Sequence, residues 1–216
     1  MSEKPVLHGV DGSPFVRKVR VALAEKGIEY DRVPVMPMGQ TPEYLAISPL
    51  GKIPCYQEGE FTLPDSSCII AYLEKKQPKP ALYPEDPKQF GRALWYEEYA
   101  DTKLAEVFGG LFFNRVLKAK ILKQEPDPAA IDRCLESMPG VFDYLEEQIG
   151  DREVLAGSRF SIADIAVGSL FVNLAHAGET ADAGRWPKLA AYVERVQGRP
   201  SFKPIIEAEK AQFGSL

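Results

Sequence analysis

The sequence predicts two structural units, a small mixed α/β unit followed by an all-helical one. Three observations carry that expectation. From Pro5 to Lys76, short runs rich in β-branched and aromatic residues alternate with segments of helical periodicity. Residues 77–87, QPKPALYPEDP, contain four prolines and cannot continue a helix. Beyond them, only helical periodicity is found. The boundaries this implies are 1–80 for the α/β unit, 81–87 for a linker and 88–216 for the helical unit.

Composition agrees with a folded enzyme or binding protein. The chain has 216 residues, 45% hydrophobic and 26% charged, enough to bury a full core. Its net charge is -5 and its basic residues are scattered, which argues against nucleic acid as a partner. No apolar run reaches the roughly 18 residues of a membrane span. Met1 to Lys4 lead into a strand-like segment rather than a signal peptide, so a cytoplasmic location is expected. Cys55, Cys68 and Cys134 are widely spaced and form no CxxC, so neither a disulfide framework nor a zinc site is expected. Structural thiols are the favoured reading at all three.

The elements follow in chain order. Val6–Val10 reads as a strand, then Pro14–Lys26 as a helix whose apolar stripe is Phe15, Val19, Ala22 and Leu23, with Arg17, Lys18 and Glu25 off it. Ser13 and Pro14 occupy N-cap and first helical positions. Tyr30–Val35 reads as a strand and Pro42–Ala46 as a short helix. Cys55–Glu58 turns at Gly59 into Phe61–Leu63, and a helix covers Ser66–Lys76. In the second unit, helices are expected over Lys88–Lys123, Ala129–Ile149 stopped by Gly150, Ile162–His176, Pro187–Gln197 stopped by Gly198, and Phe202–Gln212. Ser161 and Asp164 form an S-x-x-D capping box, with Phe160 and Ile165 placed for a hydrophobic staple. This is a folding device.

Four places could carry chemistry. The Ser13 hydroxyl is a cap, and it also stands at a helix N-terminus where it could donate to an anion. Between a helix and a strand, Pro54 suits either a cis bond or an ordinary trans turn. In the cis form it would leave the Ile53 main chain open at the sheet edge, where an extended peptide could pair. Asp65 and Ser66 open a helix and serve either as caps or as holders of the amine and carboxylate of one amino acid. On the long helix, Leu104, Phe108, Leu111 and Phe112 form one stripe beside Phe113 and Tyr99, either core or the lining of an apolar pocket.

These residues resemble the cytosolic glutathione S-transferases over essentially the whole chain. The resemblance rests on SPFVRKVRVALAEKG at 13–27, PLGKIP at 49–54, Asp65-Ser66, SIAD at 161–164 and GRPSF at 198–202. Each is weak alone, and the five in this order are specific. The resemblance implies a thioredoxin-like N-terminal domain joined to an all-helical domain, usually as a homodimer. It implies glutathione as co-substrate and no metal. The cysteinyl backbone would pair with Ile53 beside Pro54, the γ-glutamyl end would go to Asp65 and Ser66, and the glycine end would go toward Lys52 and Gln40, with Ser13 and Phe15 also at the site. Ser13 would be the catalytic residue, activating the thiolate. A small hydrophobic co-substrate, an apolar electrophile or an organic hydroperoxide, would lie between the domains near Tyr99, Phe108 and Phe112. Asp101 would face the glutathione amine of a second subunit. The serine directly before Pro-Phe is similar to the tau-like and omega-like members. A maleylacetoacetate-type isomerase, a thiol transferase and a non-catalytic glutathione-binding module are the other readings. The first lacks its SSCS motif here, and the second needs a cysteine where Ser13 stands.

Overall fold

The computed structural model describes residues 4–38 and 40–213. The chain forms two compact units, divided between Leu82 and Tyr83.

The first unit is built on four short strands: β1 (Val6–His8), β2 (Asp31–Val33), β3 (Cys55–Glu58) and β4 (Phe61–Pro64), in the order β2-β1-β3-β4. β1 and β2 are parallel, so a crossover must join them, and α1 (Pro14–Glu25) supplies it. The β3–β4 hairpin closes through Gly59 and Glu60, with Gly59 at φ +59, a conformation that costs glycine little. β2 ends at Val33, short of the expected Val35, because Pro34 has no N–H to extend the ladder. The short helix α2 (Pro42–Ile47) precedes β3, and α3 (Ser66–Lys76) follows β4 and packs on α1.

α1 departs from the expected amphipathic helix. Every residue from Val16 to Leu23 is buried, including Arg17 and Lys18, which the apolar pattern had placed off the packed face. Lys18 Nζ donates to Ser67 Oγ at 2.9 Å, tying α1 to the first turn of α3. At the other end of α1 the fully buried Lys26 ammonium donates to Glu74 Oε2 and Gln77 O at 2.7 Å each and to Pro80 O at 3.0 Å. A buried ammonium needs acceptors for its three protons, and these three meet that need.

In the second unit one continuous helical rod replaces the expected Lys88–Lys123 helix. It runs as α4 (Pro87–Tyr99), π-helical turns over Ala100–Gly109, α5 (Gly110–Phe112) and π-helical turns over Phe113–Ile121. Four helices follow: α6 (Pro128–Ile149), α7 (Ile162–His176), α8 (Pro187–Gln197) and α9 (Lys203–Phe213). Among the described residues this unit has no strand. α7 is the hub, buried on nearly every side and packed on α4, the π-helical rod, α8 and α9.

The capping box forms as expected, with the Ser161 N–H donating to Asp164 Oδ2 at 2.9 Å. Asp164 does more than cap. Its Oδ1 also accepts from the Leu155 N–H at 3.0 Å and the Tyr192 hydroxyl at 2.9 Å, so one buried carboxylate joins α7, α8 and the preceding loop. Phe108 and Phe112 are corrected here from pocket lining to core. Phe108 is fully buried with its ring 5.0 Å from Phe171 and 5.8 Å from Phe142, and Phe112 packs on His176 and Phe213. The stripe at helical spacing turns inward because α7 and α9 of the same unit cover it. Tyr99 remains partly exposed, its ring 4.8 Å from Tyr144.

Candidate functional site

Strand register gathers the candidate residues of the first unit. His8 pairs with Cys55 and with Val33, and Cys55 pairs with Pro64. The C-terminal ends of β1, β2 and β4 and the N-terminal end of β3 therefore lie at one end of the sheet. Ser13 follows β1 there, Gln40 follows β2, Ile53 and Pro54 lead into β3, and Asp65 and Ser66 follow β4.

Ser13 caps α1, its Oγ accepting from the Val16 N–H at 3.3 Å. The bond uses an acceptor lone pair, and the hydroxyl proton has no acceptor among the described residues. Phe15, in the first turn of α1, is half-buried.

The Ile53–Pro54 peptide is cis. One part of the sequence expectation is corrected: β3 is an inner strand, paired on both sides, so Ile53 does not lie at a sheet edge. The open main chain is instead the segment just before β3. There the Ile53 N–H and C=O have no partner among the described residues, while the Pro54 carbonyl accepts from the Asp65 N–H at 3.3 Å. That bond holds the Ile53–Pro54 turn against the start of α3.

Asp65 caps α3, one carboxylate oxygen accepting from the N–H groups of Ser67 at 3.0 Å and Cys68 at 3.1 Å. Its φ of 77° and ψ of 127° lie where a residue with a Cβ is strained, at a cost of order 1–3 kcal/mol. Ser66 is 4% exposed, and its Oγ makes no hydrogen bond among the described residues. Gln40 donates to Gly51 O and Met36 O, holding the loop before the exposed Lys52. The Lys52 carbonyl accepts from Tyr44 and Ser48 hydroxyls at 2.8 Å each.

Sequence reasoning missed Asp11, whose carboxylate accepts from Arg20 of α1 and from Arg32 of β2, the latter at 2.8 Å. Positions 11, 20 and 32 share no period, so only the fold brings them together.

The thiols are distinct. Cys55 is buried in β3, and desolvation pushes its thiol up to about 11; Cys134 is also raised by burial, and Cys68 is exposed in the first turn of α3. No group of three or more His, Cys, Asp or Glu that could hold a metal occurs among the described residues. No helix among them is long and apolar enough to cross a membrane.

Similarity to known proteins follows the same division. The N-terminal domain of glutathione S-transferase matches residues 7–81, and the C-terminal domain of glutathione S-transferase matches residues 128–195. Glutathione S-transferase F13 of Arabidopsis thaliana is 28% identical over 92% of this chain and 93% of its own. FtsZ-localized protein A of Caulobacter vibrioides is 25% identical over 95% of this chain and 92% of its own. A glutathione S-transferase from Rhodospirillum rubrum superposes with a TM-score of 0.86 at 29% identity, over 93% of this chain and 91% of that one. One from Methylobacterium radiotolerans, in complex with glutathione sulfonate, superposes with a TM-score of 0.77 at 30% identity, over 94% and 95%.

A β2-β1-β3-β4 sheet with α1 and α3 packed together, followed in the chain by an all-helical unit around a buried central helix, defines the two-domain thioredoxin-like transferase class. The chain belongs to the glutathione S-transferase family. The tau-like or omega-like placement is not supported: relatives whose names carry a class letter, such as F13 of Arabidopsis thaliana and F7 of Populus trichocarpa, are F-type.

Proposed function

We propose that the protein binds glutathione at this end of the sheet and activates its thiolate for attack on a small apolar electrophile or an organic hydroperoxide. The observation that carries the reading is the Ser13 hydroxyl, which accepts a bond from Val16 and keeps its proton available at the N-terminus of α1. A free thiol with pKa about 8.5 is only a few per cent ionised at neutral pH, and lowering it by about two units takes about 2.7 kcal/mol of preference for the anion. One hydroxyl donor and one helix N-terminus are together of that order.

The remaining candidates match glutathione group by group. The open N–H and C=O of Ile53 can pair with the cysteinyl backbone as an added strand does. Ser66 Oγ and the start of α3 can take the γ-glutamyl carboxylate, and the second Asp65 oxygen can take its amine. The cation of Lys52 and the amide of Gln40 suit the glycine carboxylate, and Phe15 supplies apolar contact beside Ser13. Tyr99 is the aromatic retained for the electrophile. A cytoplasmic homodimer completes the reading.

The test is the ultraviolet absorbance of the bound thiolate against pH. Wild type should titrate below free glutathione, and Ser13→Ala should move the curve back toward it, with turnover falling more than affinity. Superimposable curves would leave Ser13 a helix cap.

A second reading has its own support. FtsZ-localized protein A is a full-length relative whose name describes a location rather than a reaction. A glutathione-binding assembly module is the function that fits it, and retention on immobilised glutathione with no turnover of any electrophile would favour that reading.

A further inference from the structure

The loop that carries Ser13 from β1 into α1 contains one charged side chain, Asp11, two residues before the serine. Its Oδ1 accepts from Arg20 and, at 2.8 Å, from Arg32. The two guanidinium groups come from different elements: Arg20 from the second turn of α1 and Arg32 from the middle of β2. Arg20 is itself held, its Nε donating to the Tyr30 hydroxyl at 3.2 Å. The Asp11 side chain is only 21% exposed and that of Arg20 only 10%, so this is not a loose surface pair.

We propose that Asp11 is a positioning residue for Ser13: with Arg20 and Arg32 it clamps the β1–α1 loop between α1 and β2 and so fixes where the Ser13 hydroxyl points. The inference rests on the reading of Ser13 given above. The loop's two glycines give its backbone freedom that such a clamp restrains. Gly9 and Gly12 have φ of 151° and 85°, backbone states that glycine enters readily, and the Gly9 N–H to Val33 O bond of 2.9 Å is made before the loop turns. A hydrogen bond to a developing thiolate depends on placement, and a donor displaced by about 1 Å can lose up to about a hundredfold in rate. The cluster of one carboxylate and two guanidinium groups also carries net positive charge near the anion. Removing the carboxylate alone would therefore favour the thiolate electrostatically, while loosening the loop would disfavour it. The two effects have opposite signs, and the clamp is the one proposed to dominate.

The experiment compares Asp11→Ala, Asp11→Asn and Arg32→Ala with wild type, using glutathione and chlorodinitrobenzene as probes, with thermal stability recorded alongside. Asp11→Ala should lower kcat by about tenfold with KM for glutathione within about twofold, and raise the pKa of the bound thiol toward the free value. Asp11→Asn, which still offers an oxygen acceptor, should recover part of the loss. Arg32→Ala, at a side chain 35% exposed against 21% for Asp11, should show the same direction more weakly and serves if Asp11→Ala does not fold. A bound-thiol pKa that falls, or kcat that stays at wild type in Asp11→Ala and Arg32→Ala, overturns the clamp. Wild type that binds glutathione without lowering its thiol pKa overturns the reading of Ser13 instead.

Discussion

Cys55 and Cys68 differ in what surrounds them more than in chemistry. Cys55 stands directly after Pro54 at the inner strand β3, and burial pushes its thiol up to about 11 from a reference near 9.0, whereas Cys68 is exposed. The folded chain therefore holds a proton that the unfolded chain releases between those values. The sign follows: the unfolded state binds fewer protons in that window, so stability falls as pH rises through it. Alkaline unfolding curves should show this slope in wild type and a shallower one in Cys55→Ala, because the Tyr44 and Tyr99 hydroxyls, pushed up by burial to about 12, act in the same direction. A thiol alkylating agent applied near neutral pH should label Cys68 and leave Cys55 untouched until denaturant is added, as read by peptide mass spectrometry. Labelling of Cys55 in the native protein would contradict its burial.

Helices in this chain contain glycines of two kinds, which the sequence does not distinguish. Gly140, in the exposed part of α6, has nothing within 4 Å of where a Cβ would stand. Gly168, in α7, would bring a Cβ to 2.5 Å from Val196 Cγ1 and 3.2 Å from Phe202 Cζ. Alanine restricts the unfolded chain and favours the helix by about 0.5–1 kcal/mol where it fits. Gly140→Ala should therefore raise the melting temperature. Gly168→Ala should lower it, because α8 and the Phe202 ring must give way, at about 1–3 kcal/mol. Chemical denaturation of the two variants checks both, and equal effects would show that α7 tolerates movement that its packing argues against.

At the scale of the molecule, each unit leaves large apolar side chains in water. Leu50 is 82% exposed in the first, and in the second Trp95 is 53% exposed with Phe90 and Leu94 beside it on α4. Phe90 and Leu94 are four residues apart and share a helix face with Trp95 adjoining, a pattern suited to an interface. Under the homodimer reading, sedimentation should show twice the monomer mass, and Trp95→Glu should shift the equilibrium toward monomer while leaving the helical circular dichroism intact. A wild-type monomer at high concentration would remove the dimer from the reading.

Much of this protein is legible in its residues because local physics decides it. Prolines at 78, 80, 84 and 87 force the break between units, Gly59 sets the β3–β4 turn, and Ser161 with Asp164 starts α7 at the residue expected. Caps, turns and breakers act over three or four residues and need no partner from elsewhere. The candidate residues Ser13, Ile53, Asp65 and Ser66 were visible for the same reason, since each marks the end of a helix or a strand. Tertiary structure decided what depends on distant neighbours. The stripe of Phe108 and Phe112 has the same spacing whether it lines a pocket or a core, and only the covering α7 and α9 make it core. Arg17 and Lys18 carry no sign of burial in the pattern of α1, and Lys18 is buried against Ser67, a residue 49 positions away. Asp11, Arg20 and Arg32 meet only because β1 and β2 are parallel and α1 crosses between them. Side-chain identity sets what each residue can bind, but which groups come within bonding distance is settled by chain crossings that no local window contains.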